Sequence, residues 1–259
     1  SKHNYQNIHF PGMHPLQFVL YYKDRRTLFA LAIVSSTCES HTSVSKSIIK
    51  NRENGDKMNV QEAIENRYSA RKFTEESVPV DILRELVRRA GMAPSVNNSQ
   101  PWKFIAVTNK EKIKNISNLV RDKIQNTLAD RPQNIQKTVE YFSTLFENAP
   151  AVIFVASESY NAIADKGAVK AHAALNEMRQ YPDIQSIGAA VENILLSAVD
   201  LGLGACWLSG LMIAREEIEK SLDIEQPLQI VTAVAVGNVK GEPQKRDRKS
   251  LDEIFQLVD

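Results

Sequence analysis

The stretch Gln185–Leu201, QSIGAAVENILLSAVDL, constrains the fold more than any other part of this chain. Its spacing is helical, yet it is apolar on most sides, so other elements must cover it on most sides. Gly188, Ala189 and Ala190 let neighbouring backbone pack close, and Gly202 and Gly204 end the helix. Covering such a segment takes a sizeable core, which a chain of 259 residues can build.

The elements available for that cover follow from pattern. Helices are expected over 59–66, from Pro79 until just before Pro94, and over 110–129, 133–147 and 215–222. Pro79 can open its helix because no N–H is needed there, and Ile82, Leu83, Leu86, Val87 and Ala90 then share one face. Strands are expected at 102–108, 151–156, 205–208 and 228–236. AVIFVA at 151–156 is apolar throughout, as a strand covered on both faces must be. Residues 67–77 read as polar and irregular, and 157–182 fit no period. Helices and strands intermix without strict βαβ alternation, which favours α+β over a doubly wound sheet.

Composition excludes several classes. Hydrophobic residues make up 43%, near the globular average. Net charge is +1, from 32 basic and 31 acidic residues, so there is no global basic field for nucleic acid. Cys38 and Cys206 are far apart and form no CxxC pair, which argues against a disulfide scaffold or a zinc site. His3, His9, His14, His41 and His172 show no metal-ligand spacing. No stretch approaches the roughly 20 apolar residues that span a bilayer. Leu28–Val34, preceded by Lys23, Arg25 and Arg26, looks like a signal-peptide core, but no A-x-A-like cleavage site follows. The protein is therefore read as cytoplasmic.

Residues 1–57 do not match the rest. Apart from Leu28–Val34 they show no sustained period, whereas helical spacing begins at once after Met58. Glu53–Met58 can be encoded with GGAGAU a few bases before AUG, the form of a translated ribosome-binding site. Met58 is thus expected to be the natural start, with 1–57 a non-native or disordered extension and 58–259 the domain; a genuine extension is the alternative.

Four constellations can carry chemistry. In an extended chain Arg67, Ser69 and Arg71 share a face and present two guanidiniums and a hydroxyl, a set that suits a phosphate. From spacing alone a solvated charged loop explains them as well. Between Pro94 and Trp102, Ser95, Asn98 and Gln100 place amides in a proline-bounded loop; such groups suit a flavin ring, or simply make a polar turn. GLGACWLSG at 202–210 contains neither GxGxxG nor GxxxxGK[ST], so a Rossmann fingerprint and a P-loop are both excluded. A glycine-flanked strand end can approach a cofactor closely, or merely cap a helix. Arg246 and Arg248 lie in a basic run that is either solvated or the far side of a phosphate site. Cys206, in an apolar ACWL strand, reads as inert core, as do Trp102 and Trp207.

Together, in this order, the R-x-S-x-R-x-F run at 67–73, the P-S-x-x-N-x-Q-P-W run at 94–102, GLGACWLSG and the basic tail resemble the FMN-dependent nitroreductase family. The resemblance covers about Met58 to Asp259. It implies a three-layer α/β/α fold of the α+β class, with a mixed, largely antiparallel sheet around a central buried helix, in a domain-swapped homodimer with FMN at the interface. It implies that Arg67, Tyr68, Ser69 and Arg71 hold the FMN phosphate and ribityl chain, helped by Arg248 and Arg246. Asn98, in the loop with Pro94, Ser95 and Gln100, would come from the second subunit, and the backbone of Leu208, Ser209 and Gly210 would lie near the reactive flavin nitrogen. Where relatives carry a double Arg, this chain has Arg67-Tyr68, and its match around Ser209 is looser. The implied activity needs no metal and no catalytic side chain: NADH or NADPH reduces FMN, and FMN reduces a nitroaromatic, quinone or similar planar acceptor in a ping-pong cycle. The rivals are a flavin-storage protein with little turnover, reductive dehalogenation and enoate reduction. Segments 109–147 and 157–185 would wall the substrate side. The apolar tail residues Leu251, Ile254, Phe255 and Leu257 would be buried on the second subunit.

Overall fold

Four short apolar segments pair into one sheet, and its two faces decide where everything else packs. The computed structural model describes residues 18–24, 27–32, 58–158, 176–243 and 245–258. The chain divides into two compact units, Ser1–Asn54 and Gly55–Asp259. In the first, β1 (Phe18–Asp24) and β2 (Thr27–Ala32) form an antiparallel hairpin. The sequence pattern had suggested no strand there; most of the 1–57 segment lies outside the described residues.

In the second unit the order of the sheet is β3 (Trp102–Val107), β4 (Ala151–Ser157), β6 (Gln229–Gly237), β5 (Gly204–Leu208), with every neighbouring pair antiparallel. A parallel bridge between Ser69 and Ala205 makes the sheet mixed. β4 is buried from end to end, as its unbroken apolar run requires.

Alternate side chains of the strands feed two cores. On one face Ile153, Val155, Val234 and Val236 meet α2 (Val80–Ala90) and α5 (Pro182–Asp200). On the other, Val152, Phe154, Ala233 and Ala235 meet α3 (Lys110–Thr127), whose Ile113, Ile116, Val120 and Ile124 recur at helical spacing. The same side carries α4 (Gln133–Ser143), a 3₁₀ turn at Gly210–Ala214 and α6 (Arg215–Ser221). The result is the expected three-layer α/β/α arrangement.

Boundaries shift for local reasons. α1 spans Val60–Asn66 because Asn59 caps it, its side chain accepting from the N–H of Glu62 in a capping box. α5 starts three residues earlier than its apolar pattern, with Pro182 in its first turn. The helix expected over 133–147 breaks after Ser143 into a 3₁₀ turn, Leu145–Asn148. The tail forms a short helix, α7 (Leu251–Ile254), with a capping box from Ser250 and Glu253. Among the described residues no helix is long and apolar enough to cross a membrane.

A charge cluster ties α2 to the end of α5. Glu85 accepts from Arg88 Nε at 2.7 Å and Arg89 Nε at 2.8 Å, and Arg89 Nη1 donates to Asp200 at 2.5 Å. The hydrogen bonds from Arg88, then Arg89, hold the Glu85 carboxyl down at about 2, against 4.5 for a free one. A carboxylate with a depressed folded-state pKa stabilises fully above its unfolded value and loses that contribution as pH falls through the folded value. Solvent screening limits the cluster to about 1 kcal/mol. Glu85→Gln is therefore expected to lower urea stability by about 0.5–1 kcal/mol at neutral pH. The difference from the parent should shrink steadily between pH 4.5 and 2; a gap that stays constant over that range would show that Glu85 acts only through packing.

Candidate functional site

β5 is an edge strand of the sheet, and its unpaired backbone groups need partners. The segment after α1 supplies them. Ala70 N–H donates to Ala205 O at 3.0 Å. Further along, Thr74 N–H donates to Asn238 O and Lys240 N–H to Lys72 O, at 2.8 and 3.0 Å. Phe73, buried, bridges Val239. This docking needs Gly204: a Cβ there would lie 2.6 Å from Ala70 Cβ and 2.4 Å from Val239 Cγ2. The irregular run 67–74 is thereby pinned to β5 at Ala205 and to residues 238–240, which follow β6, with Ala70 inward.

Arg67 follows the last turn of α1 in an extended conformation, φ −63°, ψ 130°. Its Nε lies 3.8 Å from Glu192 Oε1 of α5, beyond hydrogen-bond reach, and the side chain is 21% exposed. Ser69 and Arg71 are half-buried, and Arg71 Nη1 donates to Ser69 O at 3.3 Å. Tyr68 packs on the core; burial first and Glu242 second push its phenol above the usual range. Cys206 is buried, and burial raises its thiol despite the opposing pull of Arg71.

Lys245 ties the tail to this place. Its ammonium donates to Glu65 O at 2.7 Å, at the carbonyl end of α1 where a cation is favoured, two residues before Arg67. Arg246 and Arg248 are exposed just beyond it. Pattern had placed Lys245 in the same basic run but had favoured the two arginines over it, the residue that ties the run to α1. It also gave no sign of Glu192, a like-charged competitor for any phosphate held by Arg67.

At the end of β5, Leu208 is buried while Ser209 and Gly210 are exposed. Gly210 opens the 3₁₀ turn against Ser143, whose Oγ a Cβ would meet at 2.7 Å. Trp207, expected in the core, is 45% exposed: it lies on the outer strand, over Gly188 of α5, with its ring reaching solvent past that glycine. Trp102 is half-buried on the α2–α5 core, as expected.

The amide loop is strained. Asn97, Asn98 and Gln100 all have positive φ, 48°, 52° and 46°, which non-glycine residues rarely adopt and which clusters at functional sites. Ser95 Oγ accepts from Gln100 N–H at 3.0 Å, and Gln100 Nε2 donates to Asn98 Oδ1 at 3.2 Å. Val96 N–H donates to Ser186 Oγ of α5 at 3.2 Å. Pro94 and Asn98–Gln100 are exposed.

α5 keeps the two constellations apart within one chain. At about 100° per residue, Ser186 and Asn193 share one side of the helix, toward the loop and α2. Gly188 and Glu192 lie about 100–160° further round, toward Trp207 and Arg67. The loop and the cationic run thus flank different faces of α5. A separate open groove of about 410 Å³ is lined by Lys123, Met212, Ile213, Arg215, Ile230 and Val231, and by none of the residues expected in the site. Within it Lys123 pairs with Glu217 at 2.6 Å, and Arg215 Nε lies 3.7 Å from Glu219.

The sequence profile described as the nitroreductase family matches residues 64–238. The chain is 27% identical, over 69% of its length, to a provisionally named NADH dehydrogenase/NAD(P)H nitroreductase of Archaeoglobus fulgidus, covering 84% of it. It is 26% identical to an iodotyrosine deiodinase of Nematostella vectensis, over 75% of this chain and 73% of that one. The crystal structure of a BluB-like flavoprotein from Clostridium difficile superposes with a TM-score of 0.71 at 27% identity, covering 78% of this chain and all of the other.

The close approach at Gly204 is directly testable. Gly204→Ala is expected to cost about 1–3 kcal/mol, because Ala70 is backbone-anchored and cannot yield. Urea unfolding measures the loss; an unchanged midpoint would show that the 67–74 run gives way easily.

Proposed function

Since the chain belongs to the nitroreductase family, we propose that its 58–259 domain is an FMN-dependent NAD(P)H oxidoreductase working as a homodimer. One observation carries the reading: the Arg67–Arg71 run is fixed to β5 at Ala205, and Lys245 anchors the basic tail two residues before Arg67. That donor set fits a phosphate monoester. The Arg67 guanidinium makes no hydrogen bond among the described residues, so its planar fork is open to phosphate oxygens.

Bound there, FMN would supply the redox chemistry, taking hydride equivalents from NADH or NADPH and passing them to a nitroaromatic, quinone or similar planar acceptor. The chain's part is to bind, orient and exclude water. Arg67, Ser69 and Arg71 hold the phosphate end, and Arg246 and Arg248 add charge. Ser209 and Gly210 offer exposed backbone at the other end of β5. Asn98 and Gln100 supply amides from the second copy. The separation of loop and run by α5 supports that division, since a second copy can bring its loop where the first cannot. Donor and acceptor use the same face in turn, as a ping-pong cycle requires. Likeness to a deiodinase favours reductive dehalogenation as a second reading of the acceptor chemistry.

The purified protein is expected to be yellow, and to oxidise NADH or NADPH anaerobically when given a nitroaromatic or quinone. Flavin titration should show Arg67→Ala weakening FMN binding by about 1.5–3 kcal/mol, the worth of a charge-assisted bond. Arg246→Ala should cost under about 1 kcal/mol, as an exposed charge does. A colourless protein that ignores added FMN overturns the assignment; equal losses for the two variants move the phosphate elsewhere.

The tail bears on assembly. Leu251, Ile254, Phe255, Leu257 and Val258 are all exposed, an apolar group that a single copy leaves uncovered. Removing residues 250–259 is expected to loosen the dimer and lower FMN retention. Sedimentation decides: an intact dimer with full flavin would refute a tail that wraps the second copy, and leave the reductase reading standing.

A further inference from the structure

We infer that Thr232 is a positioning residue: its hydroxyl holds the Leu208–Ser209 peptide in the orientation the site uses, and the indole of Trp207 fixes that hydroxyl. The inference rests on the reading of Ser209 and Gly210 as backbone that faces bound FMN.

Thr232 lies in β6, 3% exposed, amid Ile230, Val231, Ala233 and Val234. A hydroxyl so placed must find partners. Trp207 Nε1 lies 2.7 Å from Thr232 Oγ1, and Thr232 Oγ1 lies 2.7 Å from Leu208 O. An indole N–H can only donate and a carbonyl can only accept. The direction of the chain is therefore fixed without seeing a hydrogen: Trp207 donates to Thr232, and Thr232 donates to Leu208. The peptide between Leu208 and Ser209 is planar, so setting its C=O sets the Ser209 N–H, which points the opposite way.

A second observation shows that the backbone is built to reach this arrangement. The β4–β6 register slips between Val155, paired with Thr232, and Ala156, paired with Ile230. Side chains record the slip. Val234 and Val236 pack on the α5 side and Ala233 and Ala235 on the α3 side, but the phase is reversed at Ile230, on the α3 side, and Val231, on the α5 side. β6 thus carries one extra residue just before Thr232. Bulges of this kind re-aim a side chain, and they recur beside active sites. Trp207 stands over Gly188 on α5, where a Cβ would meet the ring edge at an ordinary 3.7 Å. The hydroxyl and the bulge both serve the last carbonyl of β5.

Three variants test this, with one readout that needs no flavin. Thr232→Val keeps the shape and removes the hydroxyl; Thr232→Ser restores it. Hydrogen exchange of the 208–211 amides is expected to quicken roughly tenfold in Thr232→Val, the factor that one net hydrogen bond is worth, and to return to the parent rate in Thr232→Ser. In the FMN-loaded protein, Thr232→Val is expected to shift the flavin midpoint potential and to lower kcat, with KM for NADH within about twofold of the parent. Should Thr232→Val fail to fold, Trp207→Phe, made on a half-exposed ring, removes the donor and keeps an aromatic ring, and is expected to move exchange and potential in the same direction. Parent-like exchange and potential in Thr232→Val, or in Trp207→Phe where the former cannot be made, overturns the inference. A parent protein that binds no FMN overturns the function instead, while the exchange rates still judge Thr232.

Discussion

The exposed edge of β5 is the constraint on which the rest depends. An edge strand leaves a row of unpaired N–H and C=O groups, which must be bonded or wetted. Here the residues between α1 and α2 meet that edge at Ala70 to Ala205, and then pass on to Asn238 and Lys240 beyond the end of β6. The hydrogen bonds are ordinary, each worth about 1 kcal/mol net. Their effect on position is larger than their energy. With Ala70 turned inward against Gly204, the neighbours Ser69 and Arg71 are held half-buried at its flanks, and Arg67 is delivered at the end of α1. A cationic run that is only composition in the sequence becomes a surface with a fixed direction.

Much of this was legible beforehand, for identifiable reasons. β4 was plain because it is apolar at every position, and α3 because Ile113, Ile116, Val120 and Ile124 keep one phase. The R-x-S-x-R run was visible because alternate residues of an extended chain share a face. What escaped notice were contacts between residues distant in sequence. Nothing local to Lys245 says that it will meet Glu65, and nothing local to Glu192 says that it will face Arg67. Trp207 was placed in the core because its neighbours Ala205, Cys206 and Leu208 belong there, and alternation alone cannot say which strand ends up on an edge. The early break in α4 lies where Gly210 presses on Ser143, another contact between distant segments. The hairpin at 18–32 did not show in the pattern because neither FVLYYKD nor TLFALA alternates apolar with polar residues.

α5 has a double part. Its apolar character, the most constraining feature of the sequence, is explained by the sheet on one side and α2 beside it. It remains the member that both halves of the proposed site lean on, the amide loop through Ser186 and the cationic run through Glu192. A helix is stiff along its axis, with a rise of about 1.5 Å per residue. The two contacts are therefore spaced by the helix and not by the flexible segments that carry the polar groups. Strain at Asn97, Asn98 and Gln100 fits the same picture, since a loop held in sparsely populated backbone states needs a rigid neighbour to keep it there.

The extra residue in β6 gives this sheet a peculiar relation to changes of length. Loss of one residue near Val231 would return β6 to an unbroken alternation, with the ladder to β4 complete and both cores still filled. By the usual measures of a strand it would be an improvement. Which residue is lost decides the rest. Without Val231, Thr232 keeps its phase, because Ala233 and Val234 register it against Leu208 and Trp207. Without Thr232 itself, Val231, already on the α5 side, fills the place and brings no hydroxyl. A single-residue gap here is thus nearly invisible to the fold, and only its position decides whether the end of β5 feels it.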